Sequence, residues 1–343
     1  MKDVVATIAI NDRPMFISMR PDGARVYTCN NDSGTVSVID TATKKMIGAI
    51  HVATTTAGMA IHPSGTKLYV VTPKNNGPAA AETVGAVRVI DTVTNKLTAN
   101  IPIGDFPVGV AIHPNGTRLY VGCLENNSVK VVDLATASVT ATIDVDSAGY
   151  WLAVSPNGSR LYVGGFDINQ VIVVDTATNL VTAEIPVPEV PWAIGVSPDS
   201  AHVYIGVGQL NSHAGKLCVC DAASNGISAT IPMAGPPLGA VFSQDGHHLY
   251  VSNGGALSVI ATATNGVLQT VQVADSVTGV AVSPDRQSIY VADGSNNVVA
   301  VIEERRPLDL EEAIARVLWR LKIVLPRIFG KPPRPINFPG GPS

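Results

Sequence analysis

A Leu-Tyr-Val phrase or a close variant returns seven times along this chain, at Tyr27, Tyr69, Tyr120, Tyr162, Tyr204, Tyr250 and Tyr290. Self-similarity at this spacing restricts the fold to stacked or circular repeats, because each unit has an apolar face that only a neighbouring unit can cover. The intervals are uneven, widest between Tyr69 and Tyr120 and narrowest between Tyr250 and Tyr290. Two further markers explain the unevenness. An apolar residue closing a TATI-like motif (Ile8, Ile50, Ile101, Ile143, Ile185, Ile231, Val271) precedes its tyrosine by one constant interval, from Ile8 to Tyr27 as from Val271 to Tyr290. The position that ends VIDT-like text (Asp40, Asp91, Asp133, Asp175, Asp221, Ala261, with Glu303 closing the series) precedes the next apolar marker by another, from Asp40 to Ile50 as from Ala261 to Val271. Length changes fall only on the leg between. It is longest from Tyr69 to Asp91, long again from Tyr204 to Asp221 and shortest from Tyr250 to Ala261. With those changes removed every repeat returns to a period of about 42 residues, inside the range of a four-stranded propeller blade.

Within one period, four apolar runs are separated by turn signals, as in GVAIHPNG, RLYVGC, SVKVVDLAT and SVTATIDV. HPNG, SPNG and RPDG are proline-initiated tight turns and DTATN is an Asp-led turn. Four short antiparallel strands per repeat make a propeller blade, and seven blades make a closed ring. We name the strands A to D from the axis outward. The chain opens with D-strand text, VVATIAI, and its repeats end on C-strand text, VVAVIEE. The expectation is therefore an all-β, seven-bladed propeller over residues 2–306, closed by pairing Val4 to Ile10 with Asn297 to Ile302 so that no sheet edge is left open.

Composition excludes several function classes. Charged residues are 15% of the 343, against about 25% in an average domain, and the net charge is −4, so no nucleic-acid partner is implied. The four cysteines include no C-x-x-C, which removes a zinc ribbon, an attached c-type haem and a disulfide-stapled miniprotein. No G-x-S-x-G elbow, Walker loop or H-E-x-x-H motif is present.

The text LYV followed by a small or polar residue, then VIDTATNKVTATIPVG-like and SPDG-like segments, resembles the YVTN-type β-propeller repeat over about nine tenths of the chain. That resemblance implies an extracytoplasmic protein, although the chain shows no signal peptide. The scaffold it implies serves binding proteins, lactonases, lyases, redox proteins and surface-layer proteins, so it speaks for fold and not for activity.

Because the other two legs never change, insertions fall only on the B-C connection, which in propellers shares one rim with the D-A loops. The insertions from Pro73 to Gly85 in blade 2 and from Gln209 to Gly215 in blade 5 are thus expected at the channel mouth, where binding surfaces are usually built. Four residues after the apolar marker stand Asp12, Thr54, Asp105, Ser147, Glu189, Gly235 and Asp275, with Asp146 beside a fifth position. A ring formed by Asp12, Asp105, Asp146 and Asp275 has the oxygen chemistry for calcium or magnesium; the competing explanation is that aspartate is a favoured turn residue. Eight residues after the marker the inner strand carries Gly58, Gly109, Gly239 and Gly279, as crowding near the axis requires, but Phe16, Trp151 and Ala193 in the other three blades. Phe16, Phe106, Tyr150, Trp151 and Trp192 gather at the mouth in a chain that is only 5% aromatic, and have the faces to stack on a sugar, a ring or a quaternary amine. Their alternative role is to fill the channel or brace blades.

Arg13, Glu189 and His213 are the charged candidates beside them, without any Glu-x-His pair. His62 and His113 occupy a turn position held by serine in sister blades. The reading is a non-catalytic binding or protein-interaction propeller presenting B-C and D-A loops to a small ligand or protein. The alternatives are a lactonase-like or lyase-like metal-assisted enzyme and a structural surface-layer protein. After residue 306 the period breaks. Leu310, Ile314, Val317, Leu318, Leu321 and Val324 predict an amphipathic helix over 307–326, followed by a Pro-rich extended or disordered tail over 327–343. The helix is too charged to span a membrane; docking on the ring, on a partner or on a membrane surface through Trp319 are its options.

Overall fold

The computed structural model describes residues 2–10, 12–74, 84–104, 106–147, 149–165, 167–210 and 212–304. They form seven four-stranded antiparallel sheets, one per repeat. In blade 1 the strands run Pro14–Met19, Arg25–Asn30, Thr35–Asp40 and Lys45–His51 in spatial order. Blade 7 takes Val280–Val282, Ser288–Asp293 and Val298–Glu304 from the end of the described chain and Lys2–Ala9 from its start. The closing register sets Val4 opposite Ile302 and Ala9 opposite Val298, and Ile10 donates its N–H to the Asn297 carbonyl at 2.8 Å. This is the pairing expected from the sequence. The predicted helix over 307–326 and the tail over 327–343 lie outside the described residues. Among the described residues no helix is long and apolar enough to cross a membrane.

Burial explains the composition of each strand. The B and C strands are covered on both faces, so RLYVGC and SVKVVD read as near-continuous apolar runs, whereas the outer SVTATID strand is exposed at most positions. The apolar layers lie between adjacent blades: Tyr69, Val71, Val87 and Val89 of blade 2 pack with Leu119, Val121 and Val132 of blade 3. The repeat tyrosines sit in these layers, Tyr27, Tyr120 and Tyr162 with no accessible surface. Burial raises the hydroxyl pKa of all seven, that of Tyr290 to about 12.

The end of the ring that carries the A-B and C-D turns is latched from blade to blade. The His62 imidazole bonds the Gly116 carbonyl at 3.1 Å and the His113 imidazole bonds the Gly158 carbonyl at 3.0 Å, so both histidines are turn residues that brace the next blade. In the C-D turns the Asp133 carboxylate accepts the backbone N–H and hydroxyl of Thr136, and Asp40, Asp91, Asp175 and Asp221 repeat the arrangement. These bonds hold the five carboxyls below the ordinary carboxylate range. Each such turn needs a left-handed residue: Asn95, Asn179 and Asn225 supply it at φ of 55, 59 and 56°, and Lys44 and Ala137 take the same conformation at 53°.

Candidate binding surface at the channel mouth

The opposite end of the ring carries the D-A and B-C loops, which hydrogen-bond to one another. Asn31 donates its N–H to the Arg13 carbonyl at 3.0 Å, and Leu124 donates to the Phe106 carbonyl at 3.1 Å. Toward the axis the inner strands crowd as their glycines require: a Cβ on Gly109 would stand 2.3 Å from the Tyr150 carbonyl oxygen, and one on Gly58 would stand 2.7 Å from that of Val108.

Blades 1 and 4 break this pattern and meet across the channel. The Phe16 ring, on blade 1, lies 5.5 Å from the Trp151 ring on blade 4, tilted by 43°. The Tyr150 ring stands 5.2 Å from that of Trp151, tilted by 51°. Such tilted contacts suit ring quadrupoles, and together the three rings narrow the channel. Burial raises the Tyr150 hydroxyl pKa, and the Arg13 guanidinium opposes that shift from nearby. The fold therefore gathers Arg13, Phe16, Tyr150 and Trp151, which come from positions far apart in the chain. The Trp151 Nε1–H is enclosed and has no hydrogen-bond partner among the described residues. Phe106 packs beside Tyr150 against the core between blades 2 and 3.

The remaining candidates are placed differently. Trp192 is only 8% exposed and its Nε1–H donates to the Gly208 carbonyl at 2.7 Å, which ties the inner strand of blade 5 to the end of its B strand. Glu189 accepts a hydrogen bond from Lys216 Nζ at 2.8 Å, and that carboxylate raises the Lys216 pKa. His213 is exposed on the blade 5 insertion. Arg13 stands 3.9 Å from Asp32, and Lys74 pairs with Glu125 at 2.5 Å, two rim contacts that repeat counting did not single out. Asp12 accepts the Arg13 N–H at 2.8 Å; Asp146 and Asp275 are exposed; Asp105 lies outside the described residues. Among the described residues no three His, Cys, Asp or Glu side chains form a group that could hold a metal. All four cysteines are buried thiols outside any disulfide, and burial raises the thiol pKa of Cys29, Cys218 and Cys220, the last to about 12.

No protein-family model matches the chain. No curated protein matches it either. Among solved structures it is similar to hydrazine synthase of Kuenenia stuttgartiensis, at 20% identity and a TM-score of 0.73, over 85% of this chain and 95% of that one. Likeness at that identity shows the shared fold alone. The chain is a seven-bladed β-propeller.

Proposed function

We propose that the chain is a non-catalytic binding propeller whose D-A and B-C loops present the channel mouth to a small ligand or a protein segment. The observation that supports it is the meeting of Arg13 and Phe16 with Tyr150 and Trp151 across the channel. An enclosed indole N–H without an acceptor costs about 1–3 kcal/mol, which an acceptor brought by a ligand would recover. Flanking aromatic faces and a guanidinium suit a ligand with a planar, sugar-like or quaternary-amine face and a polar edge. Glu189 is already held by Lys216, which places the binding reading ahead of a lactonase-like or lyase-like reaction using that carboxylate. We also read the repeats as YVTN-type, on the seven Leu-Tyr-Val or variant phrases and the buried tyrosine that each supplies.

A thermal-shift screen of the whole chain with sugars, quaternary amines, lactones, calcium and magnesium tests this. A ligand at a hundred times its Kd adds about 2.7 kcal/mol to stability. The expected result is a shift with one of these compounds that Trp151→Ala abolishes while the circular dichroism spectrum is unchanged. Equal affinity in Trp151→Ala would move the function away from the mouth. A chelator-reversible shift with calcium or magnesium, lost on Asp105→Asn with Asp275→Asn, would make the acidic D-A loops a cation site and favour the enzyme.

A further inference from the structure

We infer that the groove between blades 5 and 6, at the end of the ring away from the mouth, recognises the guanidinium group of an arginine side chain presented by a partner peptide. Two residues before the repeat tyrosine stand Arg25, Lys67, Arg118, Arg160, His202, His248 and Ser288. Arg118 donates from Nη1 across the blade junction to the Thr176 carbonyl at 2.8 Å, and Arg160 donates in the same way to the Ala222 carbonyl. Each of these carbonyls follows the aspartate that ends the C strand of the next blade. By the same register, the acceptor facing blade 5 is the Thr262 carbonyl of blade 6. His202 makes no bond to it, and no other hydrogen bond reaches it among the described residues.

The groove that results has a volume of about 350 Å³, with Asp199, His202, Tyr204, Asp245, His247 and Thr262 on its walls. Tyr204 donates its hydroxyl to Asn265 Oδ1 at 2.7 Å, so that wall is fixed. A guanidinium placed there would donate to the Thr262 carbonyl as Arg118 and Arg160 do to theirs, with the Asp199 carboxylate adding attraction. Arg286, ion-paired with Asp245, is the nearby cation it would meet.

Two other junctions bear on the choice of a guanidinium. At the junction of blades 2 and 3 the position holds Lys67, yet a cavity of about 280 Å³ remains and, among the described residues, no hydrogen bond from Lys67 Nζ crosses it, so a flexible ammonium does not replace the planar fork. At the junction of blades 7 and 1, where Ser288 leaves about 270 Å³, the Lys44–Glu303 ion pair at 2.7 Å already spans the two blades.

Titration calorimetry of the full chain with a capped Gly-Arg-Gly peptide, against Gly-Lys-Gly and Gly-citrulline-Gly, tests the assignment. The expected result is binding of the arginine peptide at least about tenfold tighter than of either analogue, as the loss of charge-assisted, forked hydrogen bonds implies. His202→Arg should fill the groove from within, abolish peptide binding and raise the Tm. Asp199→Asn keeps the Oδ1 that accepts from Ser197 and the Ala201 N–H, so it should weaken binding with at most a small fall in Tm, and it decides the matter if His202→Arg does not fold. Trp151→Ala should leave peptide binding intact, which separates this groove from the mouth. No binding, equal binding of the three peptides, or full affinity in folded His202→Arg would each overturn the proposal.

Discussion

The two ends of the ring solve the same closure problem differently. At the end bearing the A-B and C-D turns every connection has fixed length, and neighbouring blades are joined by repeated side-chain bonds: His62 to Gly116, His113 to Gly158, Arg118 to Thr176, Arg160 to Ala222. At the mouth the B-C loops vary in length, and contacts are particular to a blade, such as Phe16 against Trp151 or Lys216 on Glu189. A repeated bond must preserve its register, so length cannot change beneath it. A loop that no neighbour depends on is free to grow and to specialise. Substitution within the fixed end is therefore informative in its own way, because His202, where blades 3 and 4 hold Arg118 and Arg160, leaves a groove without changing any length.

If the fixed end carries the stability, the sharpest test is a repeat tyrosine against a mouth aromatic. Tyr120→Ala empties a fully buried site and should cost about 3–5 kcal/mol in urea unfolding. Phe16→Ala, at a half-buried site, should cost well under half of that. Equal losses would break the comparison.

Titration sharpens it next. The repeat tyrosines have folded pKa values raised above 10.0, so their contribution is complete below pH 10 and is lost as pH climbs through the folded values, which reach about 12 at Tyr290. The turn carboxylates have lowered values, down to about 2 at Asp245, so their contribution is present above pH 3.8 and is lost as pH falls toward 2. Unfolding followed across pH should show a plateau between these limits. A fall in stability between pH 5 and 9 would assign the pH response to other groups. Over the same plateau the buried thiols of Cys29, Cys218 and Cys220 should not react with a disulfide reagent until the chain is denatured.

Crowding at the axis is tested by Gly109→Ala. The added Cβ meets a backbone oxygen at 2.3 Å and not a flexible side chain, so the inner strands of blades 3 and 4 must part, at a cost of about 1–3 kcal/mol.

The ring was legible in the sequence because a period repeats one environment seven times, and the two legs of constant length located every strand. The closing pair was legible for the same reason, since Val4 and Ile302 each carry the text of a strand whose partner is missing. The meeting of Phe16 with Trp151 was not. Periodicity states which residues reach the axis but not which blades face one another across it, and these two lie three blades apart. Trp192 shows the other limit, because its sequence position matches a mouth residue while its N–H is spent on Gly208 inside its own blade. The groove at His202 left a signal in the aligned column Arg25, Lys67, Arg118, Arg160, His202, His248, Ser288, but the column acquires meaning only when Arg118 is seen to bond the next blade.

The smallest expected effect separates the two mouth tryptophans. Trp192→Phe removes a bonded N–H and leaves the Gly208 carbonyl without its donor in a buried site, so it should cost about 1 kcal/mol or slightly more. Trp151→Phe removes an N–H that has no partner among the described residues, so the loss of ring area is offset by relief of an unsatisfied donor and stability should change by less than about 0.5 kcal/mol. The order reverses for ligand binding: Trp151→Phe keeps a stacking face but withdraws the donor, and should weaken a ligand that Trp192→Phe leaves untouched. Parallel unfolding and thermal-shift measurements on the two variants read both orders at once. Should Trp151→Phe destabilise the ring as much as Trp192→Phe, the indole would already be satisfied in solution, and the mouth would act as a brace between blades 1 and 4.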